Sequence, residues 1–285
     1  MEHTFDRRRA LASSLAWIAL PPSVALGSAV AAEPTPQPAP SAAADSAASC
    51  ERPGGRQEQE LVQDVVGAAH GRFERVRELV EARPALAKAA WDWGFGDWET
   101  PLDAAAHTGQ REIALYLLAR GARATLFSAA MLGQLAVVRA ALEADPGAAR
   151  VLGPHSLTLL HHARAGGAAA QAVAEYLETR GDADGGPANA PLADADRLRA
   201  VGTYRADGGP GLTPVVVEVA EQRGRLTLKI GDGVPRGLFH RGGRELGGLE
   251  FQPAGAEAVR VRFLFPEAGR VLLIEDGATT RFLAQ

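Results

Sequence analysis

Cysteine is nearly missing from this chain of 285 residues, with Cys50 the only one. A single thiol forms no intramolecular disulfide, and a four-cysteine zinc site is impossible, so the fold must be held by ordinary burial. Lysine is almost as scarce, limited to Lys88 and Lys229. Ala85 and Leu226 stand three residues before them, which excludes a serine-x-x-lysine nucleophile. The net charge is −4, so the whole chain lacks the basic excess that nucleic-acid binding requires. No G-x-S-x-G elbow, H-E-x-x-H helix or G-x-x-x-x-G-K loop occurs. Gly94-Phe95-Gly96 is no dinucleotide fingerprint, because Glu99 stands where the third glycine belongs. These absences yield no catalytic residue, and the expectation is a protein that is not an enzyme, with no cofactor, no metal and no nucleic-acid partner.

Long apolar runs are also few. The longest, Ala10 to Val30, is broken by Pro21-Pro22 and follows Arg7-Arg8-Arg9. It ends in small residues, Ala29-Val30-Ala31-Ala32. A basic start, an apolar middle and a small-residue exit make residues 1–32 a secretory signal peptide. Arg7-Arg8 resembles a twin-arginine signal, and the general export route fits as well. The expected location is periplasmic or secreted, with no stable membrane insertion once the signal is cleaved. Residues 33–57, with Pro34, Pro36, Pro38 and Pro40 among small polar residues, read as an extended linker.

Residues 58–184 contain an internal repeat. Its clearest unit runs Thr100-Pro101-Leu102-Asp103-Ala104-Ala105-Ala106-His107-Thr108-Gly109-Gln110, then Glu112-Ile113-Ala114-Leu115-Tyr116-Leu117-Leu118. Thr100 suits a helix cap and Pro101 the first helical position, while Gly109 suits a left-handed stop. Weaker copies surround His70-Gly71, Leu132-Gly133 and Thr158-Leu159-Leu160-His161. This pattern resembles the ankyrin repeat, T-P-L-H-x-A-A-x-x-G-H, with Asp103 in place of the usual histidine. The resemblance implies about four irregular repeats in an α-solenoid, with Thr100, Pro101, Leu102, Gly109, Gly133 and His161 in structural roles. Marker glycines Gly71, Gly109, Gly133 and Gly167 lie 38, 24 and 34 residues apart, against an ankyrin period of about 33. The short interval leaves no room for a hairpin finger, and the long one holds the insertion Trp91-Asp92-Trp93-Gly94-Phe95-Gly96-Asp97-Trp98.

After a second linker at 185–196 the periodicity changes to two. Val215, Val217 and Val219 alternate, as do Leu226, Leu228 and Ile230, then Val259, Val261, Phe263 and Phe265, continued by Val271 and Leu273. Turn signals fall at Asp207-Gly208-Gly209, Gln222-Arg223-Gly224, Gly231-Asp232-Gly233 and Gly242-Gly243. Residues 197–285 therefore read as an antiparallel barrel or sandwich of about eight strands without intervening helices. Leu198-x-x-x-Gly202-x-Tyr204 resembles the opening of small β domains appended to exported bacterial hydrolases, which implies an accessory role. The fold class is α+β and multidomain, and the two parts are expected to be separable.

Function in this reading is non-catalytic protein binding by the repeats, to a partner the sequence does not identify. The alternatives are a small apolar ligand held by the β domain, or an accessory subunit of a separately encoded exported enzyme. The candidate contact residues are Trp91, Asp92, Trp93, Phe95, Asp97 and Trp98, since aromatic residues on a loop are common anchors; the other reading is that the rings fold back and seal the end of the stack. His155, His161 and His162 cluster in sequence; His161 falls at the motif histidine that orders a turn, so the cluster reads as structural, with a metal site as the alternative.

Overall fold

A computed structural model describes residues 55–206, 215–222, 224–242 and 248–285, all within one compact unit, Pro53–Gln285. The expected export signal at 1–32, nearly all of the expected linker with Cys50, and the expected turn at 207–209 lie outside the described residues, as do Arg223 and Gly243. The architecture is α+β: paired helices followed by a closed antiparallel barrel of eight strands. No helix among the described residues is long and apolar enough to cross a membrane.

The helices come as four hairpins, which coincide with the four sequence copies. They are α1 (Gln59–Ala68) with α2 (Phe73–Ala82), α3 (Pro101–His107) with α4 (Arg111–Ala119), α5 (Leu126–Met131) with α6 (Leu135–Ala144), and α7 (Leu159–Ala165) with α8 (Gln171–Arg180). Their starts are chemically specified. Thr100 Oγ1 accepts from the Asp103 N–H at 3.1 Å, and the Asp103 carboxylate accepts from the Thr100 N–H at 3.4 Å, a reciprocal capping box. Asp103 thus has its own use: its other oxygen accepts from Thr125 Oγ1 at 3.2 Å and ties the second hairpin to the third. Thr125 forms the same reciprocal box with Ser128 at the start of α5, and Thr158 caps α7 one way, accepting from the His161 N–H.

Glycine is required where backbones meet. A Cβ on Gly133, at φ 76°, would lie 2.0 Å from the Ala169 carbonyl oxygen, and one on Gly166 would lie 2.0 Å from that of Met131. These approaches press the third hairpin onto the fourth. In consequence α3 touches α5 and α7 as well as α1.

Between the first two hairpins the insertion forms a two-stranded ribbon, β1 (Trp91–Asp92) with β2 (Trp98–Glu99). Helix α9 (Asp194–Ala200), absent from the sequence expectation, leads into the barrel, where Ala200 is buried in the barrel core. The barrel runs β3 (Gly202–Arg205), β4 (Val216–Gln222), β5 (Arg225–Ile230), β6 (Arg236–His240), β7 (Leu249–Pro253), β8 (Arg260–Leu264), β9 (Val271–Glu275) and β10 (Thr279–Ala284). Each strand pairs with the next, and β10 closes on β3 with Leu283 opposite Arg205 and Ala284 opposite Tyr204. The interior is filled by side chains such as Tyr204, Val217, Leu228, Phe251, Phe263 and Leu272, as expected of a small barrel. Tyr204 is fully buried and its hydroxyl donates to the Ala200 carbonyl at 2.8 Å, which fixes α9 to the first barrel strand.

Strand phase follows the alternation at Val217 and Val219, at Leu226 and Leu228, and at Val261 and Phe263. It departs in β9, where the inward pair is Leu272 and Ile274 and Leu273 is half-buried. The run Val271-Leu272-Leu273-Ile274 contains no polar residue to mark its outer face. Val215 is exposed and lies just before β4.

Candidate functional site

The site lies where the ribbon meets the hairpins and the barrel. Strand alternation divides the ribbon's second strand: Asp97 and Glu99 turn inward and are buried, while Trp98 between them turns outward and is 61% exposed. The turn linking the strands passes through Gly94, Phe95 and Gly96, all at positive φ, and the Gly94 N–H donates to Asp92 Oδ1 at 2.8 Å. Trp91 and Trp93 are half-buried against the core of the first two hairpins, and Phe95 packs on the barrel core. Of the six contact candidates, the aromatic residues Trp91, Trp93 and Phe95 thus bridge the two cores, Asp97 is sealed beneath them, and Trp98 faces solvent.

Asp97 is the centre of the seam. Its Oδ2 accepts from Arg236 Nη1 at 2.8 Å and from His155 Nδ1 at 2.7 Å, and its Oδ1 accepts from the His155 N–H at 2.9 Å. Arg236 Nη1 also donates to the Ala254 carbonyl at 2.7 Å, and the guanidinium is buried. Gly255 covers the carboxylate so closely that a Cβ there would sit 2.1 Å from its Cγ. Ser156 completes the joint: its hydroxyl donates to Glu257 at 2.7 Å and accepts from the Gly255 N–H at 2.7 Å. His155 and Ser156 both hold φ near 60°, at 60° and 57°. Two consecutive side-chain-bearing residues in the left-handed region are strained, and the bonds to Asp97, Glu257 and Gly255 hold them there.

Behind the ribbon, Glu99 has no exposed surface and gathers four donors and rings. Trp93 Nε1 donates to its Oε2 at 2.7 Å. His107 Nε2 lies 2.8 Å and His155 Nε2 3.4 Å from its Oε1, and His70 Nε2 lies 3.6 Å from its Oε2. His70 and His107 meet at 3.2 Å between their Nε2 atoms. One ligand atom from each of His70, Glu99, His107 and His155 lies within 4.8 Å of every other. A cleft of about 390 Å³, lined among others by His70, Trp93, His155 and Arg236, opens beside them.

Electrostatics follow from this enclosure. Burial opposes ionisation of Glu99, but hydrogen bonds from His107 and His155 outweigh it and hold the carboxyl at about 2. Burial likewise disfavours a charged His155, yet Asp97 and Glu99 raise it to about 9. Burial pushes His70 below its usual value against the pull of Glu99. Asp97 is held low by His155 and Arg236 in spite of its own burial.

The sequence cluster is dispersed differently from the expectation. His155 joins the site, whereas His161 donates from Nε2 to the His107 carbonyl at 3.1 Å and has its own N–H capped by Thr158. His162 is buried, donates from Nδ1 to the Thr158 carbonyl at 2.8 Å, and stacks on Phe127. His70, Glu99 and His107 went unnoticed in the sequence. The available signal was their recurrence beside the repeat's marker glycines, His70 before Gly71 and His107 before Gly109.

Burial, opposed by the Thr158 carbonyl, lowers His162 to about 4, with His161, His107 and Glu99 facing it. An unfolded chain protonates this ring near its ordinary value of 6.5, so its neutral burial is without cost above that pH. Stability is then lost as pH falls from 6.5 towards 4, by about 3 kcal/mol at the low end. Replacing His162 with phenylalanine should flatten this part of the acid limb in urea titrations at stepped pH; an unchanged slope would assign acid sensitivity to other groups.

A scan against protein-family models finds no match to the chain, and a search of curated proteins finds no relative.

Proposed function

We propose that the protein is a non-catalytic binding module of the cell envelope, exported by its N-terminal signal, whose four helical hairpins are ankyrin-type repeats. The observation that carries this reading is Trp98. It is the one tryptophan of the insertion left mostly exposed, on a ribbon whose other aromatic residues are packed. Beside it runs a cleft of about 340 Å³ lined by Leu126, Phe127, Leu152 and Pro154 together with the exposed Glu257. Apolar lining with an exposed carboxylate, next to a region of charge −8 over residues 33–196, suits a basic partner segment that brings an apolar side chain to Trp98. The barrel's filled interior favours this external surface over an enclosed apolar ligand. An accessory role beside an exported enzyme is compatible with the same surface.

Trp98→Ala should leave the melting temperature within about 1 °C, since little burial is lost. It should weaken capture of the partner from envelope extract by about thirtyfold, as for a central aromatic anchor. Added salt should weaken capture by the wild type as well. Identical captured proteins for wild type and variant would remove Trp98 from the interface. Mass spectrometry of protein from its native host tests export, with an N-terminus near Ala32 or Glu33 expected.

A further inference from the structure

We propose that His70, Glu99, His107 and His155 form a binding site for a divalent transition-metal ion of the zinc class. The placement of the four ligand atoms is the first argument. Zinc bound tetrahedrally at 2.0–2.1 Å separates its ligand atoms by about 3.3–3.4 Å. The contacts found are 2.8 Å from His107 Nε2 and 3.4 Å from His155 Nε2 to Glu99 Oε1, and 3.2 Å from His107 Nε2 to His70 Nε2. His70 Nε2 lies 3.6 Å from the other carboxylate oxygen, Oε2. The edges among these atoms fall on both sides of the tetrahedral value, one ligand atom of each residue lies within 4.8 Å of every other, and all three histidines converge through the same ring atom. Three imidazoles and one carboxylate are a donor set suited to zinc and its first-row neighbours.

The supporting shell is the second argument. Metal-ligating histidines usually commit the opposite ring nitrogen to a carbonyl or a carboxylate, which fixes the tautomer and aims the free lone pair. His70 Nδ1 is held by the Val66 carbonyl at 3.1 Å and His155 Nδ1 by Asp97 at 2.7 Å. Trp93 holds Glu99 by Oε2 and leaves Oε1 towards His107 and His155. Hydrogen bonding alone satisfies the cluster poorly. With Nδ1 of His70 already donating, its Nε2 offers only a lone pair to His107 Nε2, whose single N–H faces both that lone pair and Glu99 Oε1. A cation at the centre displaces the protons on the Nε2 atoms of His155 and His107, which pass to solvent, and then accepts from every lone pair at once.

The ligands come from the end of α3, from the turn after α1, from β2 and from the turn before α7. The ion therefore joins the first, second and fourth hairpins at the base of the ribbon that carries Trp98. This goes beyond the protein-binding reading and stands or falls separately from it.

The test uses untagged full-length protein stripped with chelator, with Zn²⁺ and Co²⁺ as probes. Calorimetry should show one Zn²⁺ per chain, and Co²⁺ should give the intense visible absorption of a four-coordinate ion. His70→Gln and Glu99→Gln should each weaken Zn²⁺ binding at least about tenfold and abolish the metal-induced rise in melting temperature. Trp93→Phe, which keeps an aromatic ring but removes the positioning N–H and part of the indole's packing, should weaken it about tenfold with the Co²⁺ spectrum altered. His70 has 32% of its side chain exposed, so His70→Gln decides the matter if Glu99→Gln does not fold. Failure of the folded wild type to take up either ion would overturn the site. So would uptake that His70→Gln leaves unchanged.

Discussion

Asp97→Ala is expected to cost about 3–5 kcal/mol of stability, because it leaves Arg236 as a buried charge without its partner. Arg236 is 7% and Asp97 3% exposed, so water cannot replace the lost carboxylate. The same substitution releases both bonds that hold the strained backbone of His155, and the cover that Gly255 forms is left over a void. Asp97→Asn keeps the shape and one acceptor oxygen, but its amide group must face a donor, so about half the loss should remain. Urea unfolding measures both. Limited proteolysis gives the local view: the wild type should resist cutting within residues 185–196, where Ala190 and the Asn189 side chain bond to His240. The variant should be cut there and yield the helical and barrel parts that the sequence suggested were separable. A wild-type melting curve for Asp97→Ala would show that the seam contributes nothing to stability.

Gly133→Ala should destabilise the protein by about 3 kcal/mol or more, lowering the melting temperature by about 10 °C. Two effects combine. At φ 76° an alanine is strained by about 1–2 kcal/mol, and its methyl group would meet the Ala169 carbonyl, which is backbone and cannot rotate away. Gly181→Ala separates these contributions, because Gly181 has φ 75° and nothing within 4 Å of a Cβ. It should show the conformational part alone. Gly166→Ala, at φ −69°, should show collision without the conformational part, against the Met131 carbonyl and the Ala170 methyl group. The double variant Gly133→Ala with Gly166→Ala should cost less than the sum, since parting the third and fourth hairpins once relieves the contacts with Ala169 and Met131, though not that with Ala170. Equal effects for Gly133→Ala and Gly181→Ala would mean that the hairpins separate freely.

The helical hairpins were legible because their punctuation is local. Thr100, Pro101 and Gly109 specify the bounds of α3 within ten residues of chain. Barrel strands with clean alternation, such as Val217-Glu218-Val219, were legible for the same reason. Strand β6 was not, since Arg236-Gly237-Leu238-Phe239-His240 follows no period and its arginine is buried for the sake of a carboxylate in another part of the chain. The metal-type cluster was hidden by distance: His70, Glu99, His107 and His155 are joined only by the stacking of separate hairpins. His161 and His162 sit at the start and in the core of α7, as a structural reading of them expects, whereas nothing local marked His155 as the one that joins Glu99. Asp103 looked like a lapse from the repeat motif and is instead a capping residue with a lateral bond.

The Asp97–Arg236 bond spans 139 residues of chain, whereas the hairpins are closed by contacts among near neighbours. Closing so long a loop loses entropy before any contact compensates for it, so pairings of this kind arise late in folding. The hairpins, with the Asp97–His155 bonds they hold, are therefore expected to assemble before the arginine arrives on β6. Substitutions at Arg236 should accordingly accelerate unfolding and leave the refolding rate nearly unchanged. On that expectation the joint between helices and barrel is a kinetic latch, setting how long the finished molecule persists rather than how quickly it forms.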